Sequence, residues 1–289
     1  MPDQGGLPAA VGRQQLMVGL LLPTMPPAAA PVADAGWVMH AARDAEAAGF
    51  DGVYAGDHLA GPRPMLECLI TLAAVAATTR RLAIGSCVLL AALRQPAVLA
   101  RQLATLAALA PGRLRIGVGT GGEYPADFAA VGVSLAGRGA RTTEAVARIR
   151  ELPGEVPVLL GGAAPAALRR AAAIGDGWLG YLHSPAGFAR RRADLLRFLA
   201  AAGRTPAGFA TGMVLPVYLG PRSQLPVGPA GGSPVLCADS AAGLLGALAP
   251  YRKAGCTELI LRLADDGPGF PPQLDAIGAD LLPALRALP

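Results

Sequence analysis

The sequence predicts one α/β domain of the (β/α)8 class, a TIM barrel with shortened insertion segments. Three observations carry that prediction. Apolar runs of strand length alternate with Ala/Leu-rich helical runs along all 289 residues. Eight such strand–helix pairs can be counted, the number that closes a barrel. The first strand runs into Leu22-Pro23-Thr24-Met25-Pro26-Pro27, not into a GxGxxG turn. A doubly wound open sheet, the second choice, usually has that glycine fingerprint and fewer repeats.

The first strand is read at Leu16–Leu22 and its helix at Asp34–Ala48, which Gly49 ends. Gly52–Ala55 then precedes a helix at Met65–Thr78, and Leu82–Leu89 precedes one at Pro96–Leu109. The fourth pair is Leu114–Gly119 with Gly139–Leu152. The fifth is Val156–Leu160 with Pro165–Ile174, the proline standing where a missing N–H costs least. Gly177–Leu182 leads to Ser184–Ala202, ended by Gly203. Ala210–Leu219 leads to Ser240–Ala254, ended by Gly255, and Glu258–Leu263 leads to Gln273–Leu288. No Pro/Gly linker divides the chain, so a flexible tail over residues 1–14 and one barrel over 15–289 are expected.

Composition removes several functional classes. Hydrophobic residues make up 53% and charged residues 16%, against about 25% charged in an average soluble protein, which excludes disorder. No apolar run reaches the roughly 18 residues of a membrane span, and the first fourteen residues lack a signal-peptide pattern. A cytoplasmic protein without membrane contact is expected. The net charge of +5 is nearly all arginine, Lys253 being the one lysine. Aromatics are only 4%, which argues against nucleic acid, where basic clusters interleave with aromatic rings. The Arg190–Arg192 cluster reads as a solvated helix face or a dock for an anionic tail. Cys68, Cys87, Cys237 and Cys256 form no CxxC pair, and with three histidines no metal site is expected.

In a barrel of this class, chemistry sits at the C-terminal ends of the strands. Those ends deliver Thr24, Asp57 and His58, Ser86 to Val88, Thr120 to Glu123, Gly161 and Gly162, Tyr181 and His183, and Asp265 and Asp266. The turn Gly161-Gly162-Ala163-Ala164-Pro165 leaves an apolar strand and opens a helix, a place where backbone N–H groups hold an anion. It also reads as an ordinary tight turn. Asp57-His58 is the most chemical pair, because a histidine there can exchange a proton near neutral pH. Asp57 could orient it, although neighbours on an extended chain point to opposite faces. His40 falls within a helix and reads as packing. The run Gly117-Val-Gly-Thr-Gly-Gly-Glu123 suggests backbone passing close to a ligand, with Glu123 as candidate acid. No Ser-His-Asp order, HExxH or P-loop is present.

Together these stretches resemble the luciferase-like monooxygenase superfamily. The resemblance rests on AARDAEAAGFDGVYAGDHL (41–59), on residues 78–122 ending GRLRIGVGTGG, and on GRGARTTEAVARIREL (137–152). It extends through VPVLLGGAAPAALRRAAAIGDGWLG (156–180) and YRKAGCTELILR (251–262). It implies that Asp57 and His58 face an isoalloxazine or deazaflavin ring; with Glu123, the candidate acid of the glycine-rich loop, they make the expected catalytic set. It implies cofactor contacts from Cys87 and Val88, with a non-proline cis peptide between them, and a phosphate turn at Gly161, Gly162 and Ala163; the strand-end residues Ser86, Thr120 and Gly121 are expected to join them. Gly122 stands where some deazaflavin dehydrogenases place an acid, one residue before Glu123. A covering segment of many relatives is replaced by Pro153-Gly154-Glu155, and another by the loop Gly220–Pro234.

The expected activity is that of a coenzyme F420-dependent oxidoreductase, reducing a polarised C=C or C=N bond. FMN-dependent oxygenation and a non-catalytic flavin-binding relative are the alternatives. The substrate would be a small molecule, free or attached to a carrier or peptide, and the apolar helices would permit a homodimer, the common state of the family it resembles.

Overall fold

A ring of parallel strands positions everything else. The computed structural model describes residues 15–26, 34–152, 156–225 and 234–289. The expected tail 1–14, the joint 153–155 and most of the loop 220–234 lie outside the described residues. In chain order the first elements are β1 (Met17–Leu21), α1 (Ala35–Ala48), β2 (Gly52–Ala55), α2 (Cys68–Thr78), β3 (Ala83–Leu90) and α3 (Pro96–Leu109). Next come β4 (Leu114–Gly119), α4 (Pro125–Ala130), α5 (Arg138–Arg150), β5 (Val158–Gly161), α6 (Pro165–Ile174), β6 (Gly177–Tyr181) and α7 (Pro185–Ala201). The chain ends with β7 (Ala210–Leu219), β8 (Leu236–Ala238), α8 (Ala241–Lys253), β9 (Glu258–Leu263), α9 (Phe270–Ala276) and α10 (Leu282–Arg286).

Strands β1 to β7 pair in sequence, and β9 closes the ring between β7 and β1. The barrel therefore has its eight strands, as the repeat count predicts. The short β8 lies outside the ring, paired with the end of β7. It was not anticipated from the sequence, nor was α4. The terminal helix expected over Gln273–Leu288 is divided by a π-helical turn at Ile277–Leu281. Pro283, in the first turn of α10, has no N–H to continue the regular ladder there.

Period-two alternation sorts the strand residues into two cores. Val18, Leu20, Val53, Ile84, Ile116, Val118, Val158, Trp178, Leu215 and Leu261 face the helices. Tyr54, Leu159, Leu179, Val214 and Ile260 fill the barrel interior, with Cys87 and Val88 packed on them. Alternation alone would send Cys87 and Val88 to opposite faces. The register of β3 against β4 shifts between Ser86 and Leu89, and the Cys87–Val88 peptide bond is cis. Both side chains then belong to the interior.

Val88 comes to lie between β4 and β5, where the strands are stripped to glycine. A Cβ on Gly119 would stand 2.5 Å from Val88 Cγ2, and one on Gly161 would stand 3.1 Å from Cγ1. Gly117 and Gly119 thus make room for a residue of the chain itself. Gly119 also lines the cavity, with Thr120 and Gly121 after it. Toward the N-terminal ends of the strands, Glu258 is 1% exposed and accepts hydrogen bonds from Tyr54 Oη and Arg115 Nη2, the latter at 2.7 Å. That trio closes the barrel on the side away from the cavity.

Candidate active site

A cavity of about 570 Å³ opens at the C-terminal ends of the strands. Its apolar wall includes Leu21, Val88, Leu179 and Val214, and its polar groups come from the loops above them. Of the residues singled out in the sequence, His58, Cys87, Val88, Thr120, Gly121, Glu123, Gly161 and Gly162 line it, as do Thr24, Tyr181 and Asp266. Ser86 does not: it is fully buried and donates its hydroxyl to the Gly117 carbonyl at 2.8 Å. Ala163 is not among the lining residues either.

Asp57 touches the cavity, but its carboxylate is committed elsewhere. Oδ2 accepts from the Leu90 N–H at 2.8 Å and from Arg94 Nη1 at 2.5 Å, and Oδ1 accepts from Arg94 Nη2 at 2.9 Å. Arg94 also donates to Glu67 Oε1 at 2.6 Å. This bidentate pair ties the end of β2 to the end of β3, a geometry in which arginine and carboxylate bind strongly. Asp57 therefore does not orient His58.

That role falls to a residue the sequence reading passed over. Nδ1 of His58 lies 2.8 Å from Oδ2 of Asp127 on α4. The other oxygen of Asp127 accepts from the N–H groups of Leu59 at 2.8 Å and Ala60 at 2.7 Å. The Asp127 side chain is 1% exposed, and the His58 side chain 25%. Burial pushes the Asp127 carboxyl up, but the bonds from Ala60, His58 and Leu59 outweigh it and hold the pKa below its ordinary value. An ionised carboxylate only accepts, so Nδ1 is the donor and Nε2 carries the lone pair in neutral imidazole. Nε2 makes no hydrogen bond among the described residues. The Tyr124 ring meets the imidazole edge-on, with centroids 4.8 Å apart.

The remaining groups divide by chemistry. Glu123 is exposed at the mouth, where its charge and burial of the phenol together raise the pKa of Tyr124. Burial, with the charge of Glu258 second, pushes the Cys87 thiol well up, so it stays protonated and apolar in behaviour. His183 stacks on Trp178 outside this cavity, and burial and Arg191 lower its pKa. No cluster among the described residues could hold a metal ion.

Opposite β1 in the ring, Gly161 and Gly162 lead into α6. Side chains cap the N-termini of α1, α2, α3, α7 and α8, namely Asp34, Glu67, Gln95, Ser184 and Ser240. The N-cap of α6 is Ala164, which supplies no such bond. Within its first turn Pro165 has no N–H and the Ala167 N–H donates to the Ala164 carbonyl at 2.9 Å, so the Ala166 N–H is the one left for an anion, and Gly162 has a φ of 118° that a side chain would strain.

Comparison with known proteins bears on the family and the fold. A family model described as luciferase-like monooxygenase matches residues 17–225. An uncharacterized protein of Mycobacterium tuberculosis is 33% identical over 208 residues, covering 57% of this chain and 72% of that one. An F420-dependent glucose-6-phosphate dehydrogenase of Beutenbergia cavernae is 36% identical over 169 residues, covering 47% of this chain and 49% of that enzyme. Among solved structures, an F420-dependent secondary alcohol dehydrogenase holding an F420–acetone adduct superposes with a TM-score of 0.77 at 18% identity, covering 94% of this chain and 99% of that one. The oxygenating constituent of a diketocamphane monooxygenase from Pseudomonas putida, in complex with FMN, gives 0.76 at 15% identity, covering 93% and 98%. These structural likenesses speak to the fold.

Proposed function

The chain belongs to the luciferase-like monooxygenase family, and from that premise we propose that it is a coenzyme F420-dependent oxidoreductase acting on a small organic substrate or natural-product intermediate. The direction that fits best is reduction of a polarised C=C or C=N bond. The observation that carries this reading is His58, on the cavity wall with Nδ1 fixed by Asp127 at 2.8 Å and Nε2 unengaged. A proton can be held at Nε2 and released to substrate, or taken up there in the reverse direction.

The cavity suits a ring cofactor that carries a phosphate. Its floor, built of Val88, Leu179 and Val214, is apolar and would take the flat face of a tricyclic ring. The uncapped start of α6, reached through Gly161 and Gly162, would take the phosphate. When bound, the deazaflavin supplies a hydride at carbon and leaves the proton to the protein. The chain then has three tasks: to orient the ring on the Cys87–Val88 floor, to anchor the anion at α6, and to present the His58 proton. Asp127 performs a fourth by fixing the orientation and tautomer of the imidazole.

The relatives named for F420 favour this coenzyme over FMN. The test is a titration of the purified protein with F420 and with FMN, followed by cofactor fluorescence. Binding of F420 supports the proposal. Binding of FMN alone overturns it in favour of a monooxygenase.

A further inference from the structure

Arginines in this barrel end are treated unequally. Arg94 makes charge-assisted hydrogen bonds to both Asp57 and Glu67. Arg63, in the loop between β2 and α2, lines the cavity with Nη1 and Nη2 both screened from solvent and without a hydrogen-bond partner among the described residues. Its nearest carboxylate is Asp266 Oδ2 at 4.0 Å, beyond hydrogen-bond reach. Arg262 at the end of β9 also lines the cavity, and its side chain makes no hydrogen bond among the described residues. Asp266 interacts electrostatically with both, and with the like charge of Asp265 beside it. Two guanidinium groups thus bear on the Asp266 carboxylate.

Donors held this way are costly to leave unmade, the more so when charged. A ligand oxyanion with two acceptor oxygens matches the guanidinium fork and would satisfy them. Topology separates this place from the anion site at α6. Arg63 follows β2 and Arg262 ends β9, the two neighbours of β1, whereas α6 follows β5 on the opposite side of the ring. His58 also comes from the end of β2, so a group held by Arg63 would lie on the histidine's side of the mouth.

We propose that Arg63 and Arg262 bind an oxyanion of the substrate, so that the natural substrate is an organic acid or a phosphate ester. Asp266 occupies the site electrostatically until the anion enters. That the bound molecule is the substrate rests on the proposed function; the anion site itself does not.

The test is calorimetric titration of cofactor-free protein with succinate and, separately, inorganic phosphate. Arg63→Met should weaken the preferred anion about tenfold or more, the loss expected for a bidentate charge-assisted contact. Arg63→Lys, which keeps the charge without the fork, should fall between Met and wild type. Asp266→Asn should tighten binding by removing the internal competitor. Preference for succinate identifies an acid, and preference for phosphate identifies a phosphate ester. Equal affinity in wild type and a folded Arg63→Met overturns the proposal, as does weaker binding in Asp266→Asn. Phosphate binding that ignores Arg63 but is lost in Gly162→Val places the anion at α6 and also overturns it. Arg63-dependent binding in a protein that fails to take up F420 sustains this inference and sinks only the cofactor reading.

Discussion

Asp127 Oδ2 and His58 Nδ1 lie 2.8 Å apart although 69 residues of chain separate them. The carboxylate is also the cap for two backbone N–H groups, those of Leu59 and Ala60. One buried group thus shapes the loop that carries the histidine and sets the histidine's proton. The two duties can be separated by substitution.

Asp127→Asn retains an acceptor oxygen for the loop but removes the carboxylate that fixes the Nδ1 proton of His58. Turnover should fall substantially while the melting temperature changes little. Asp127→Ala should do both, because it leaves two backbone donors unsatisfied at about 1–3 kcal/mol each. His58→Ala should retain cofactor binding and lose about 10²- to 10⁴-fold in turnover, the usual worth of a positioned acid–base group. Steady-state kinetics beside thermal melts decides. Normal turnover in His58→Ala would remove the histidine from the mechanism.

The pH dependence of stability has a definite sign. The folded-state pKa of Asp127 lies below its ordinary value, so its contribution to stability is complete above an unfolded value of about 3.9. It is lost as pH falls through the lower folded value. Urea unfolding between pH 6 and 3 should show wild type losing stability faster than Asp127→Asn in the acid range. Parallel curves would contradict the assignment.

The buried trio beneath the cavity gives a prediction about the fold alone. Glu258 is 1% exposed and its charge is met by Arg115. Replacing Arg115 with Met leaves that charge buried and unpaired, at a cost of about 3–5 kcal/mol. The triple variant Tyr54→Phe, Arg115→Met, Glu258→Gln should recover a large part of the loss, since no orphaned charge remains. Denaturant melts of the single and triple variants test this.

The barrel was legible because its signals are local. Each ring strand is an apolar run bounded by Gly, Pro or a helix cap, and the eight expected strands overlap the observed ones. The site was less legible because it is assembled from distant residues. Asp57 and His58 look like a pair in sequence, yet an extended backbone sends them apart, Asp57 to Arg94 and His58 to Asp127. Asp127 sits on the six-residue α4, too short for periodicity to reveal. Pro125 at its first position, following a glycine-rich turn, was the available helix-start signal. Ser86 followed the alternation rule outward, whereas Val88 departed from it at a register shift that no sequence pattern announces.

The floor of the cavity should be sensitive to a single methyl group. A Cβ on Gly119 would lie 2.5 Å from Val88 Cγ2, closer than packed atoms tolerate. Gly119→Ala must therefore displace Val88 toward the cavity or spread β3 from β4. A destabilisation of about 1–3 kcal/mol is expected from overpacking of this kind, together with weaker F420 binding, because the displaced atoms belong to the surface proposed to carry the ring. Val88→Ala in the same background removes the clashing methyls and should restore stability relative to Gly119→Ala alone. If the two substitutions instead add as independent losses, Val88 and Gly119 do not share the contact that the geometry assigns them.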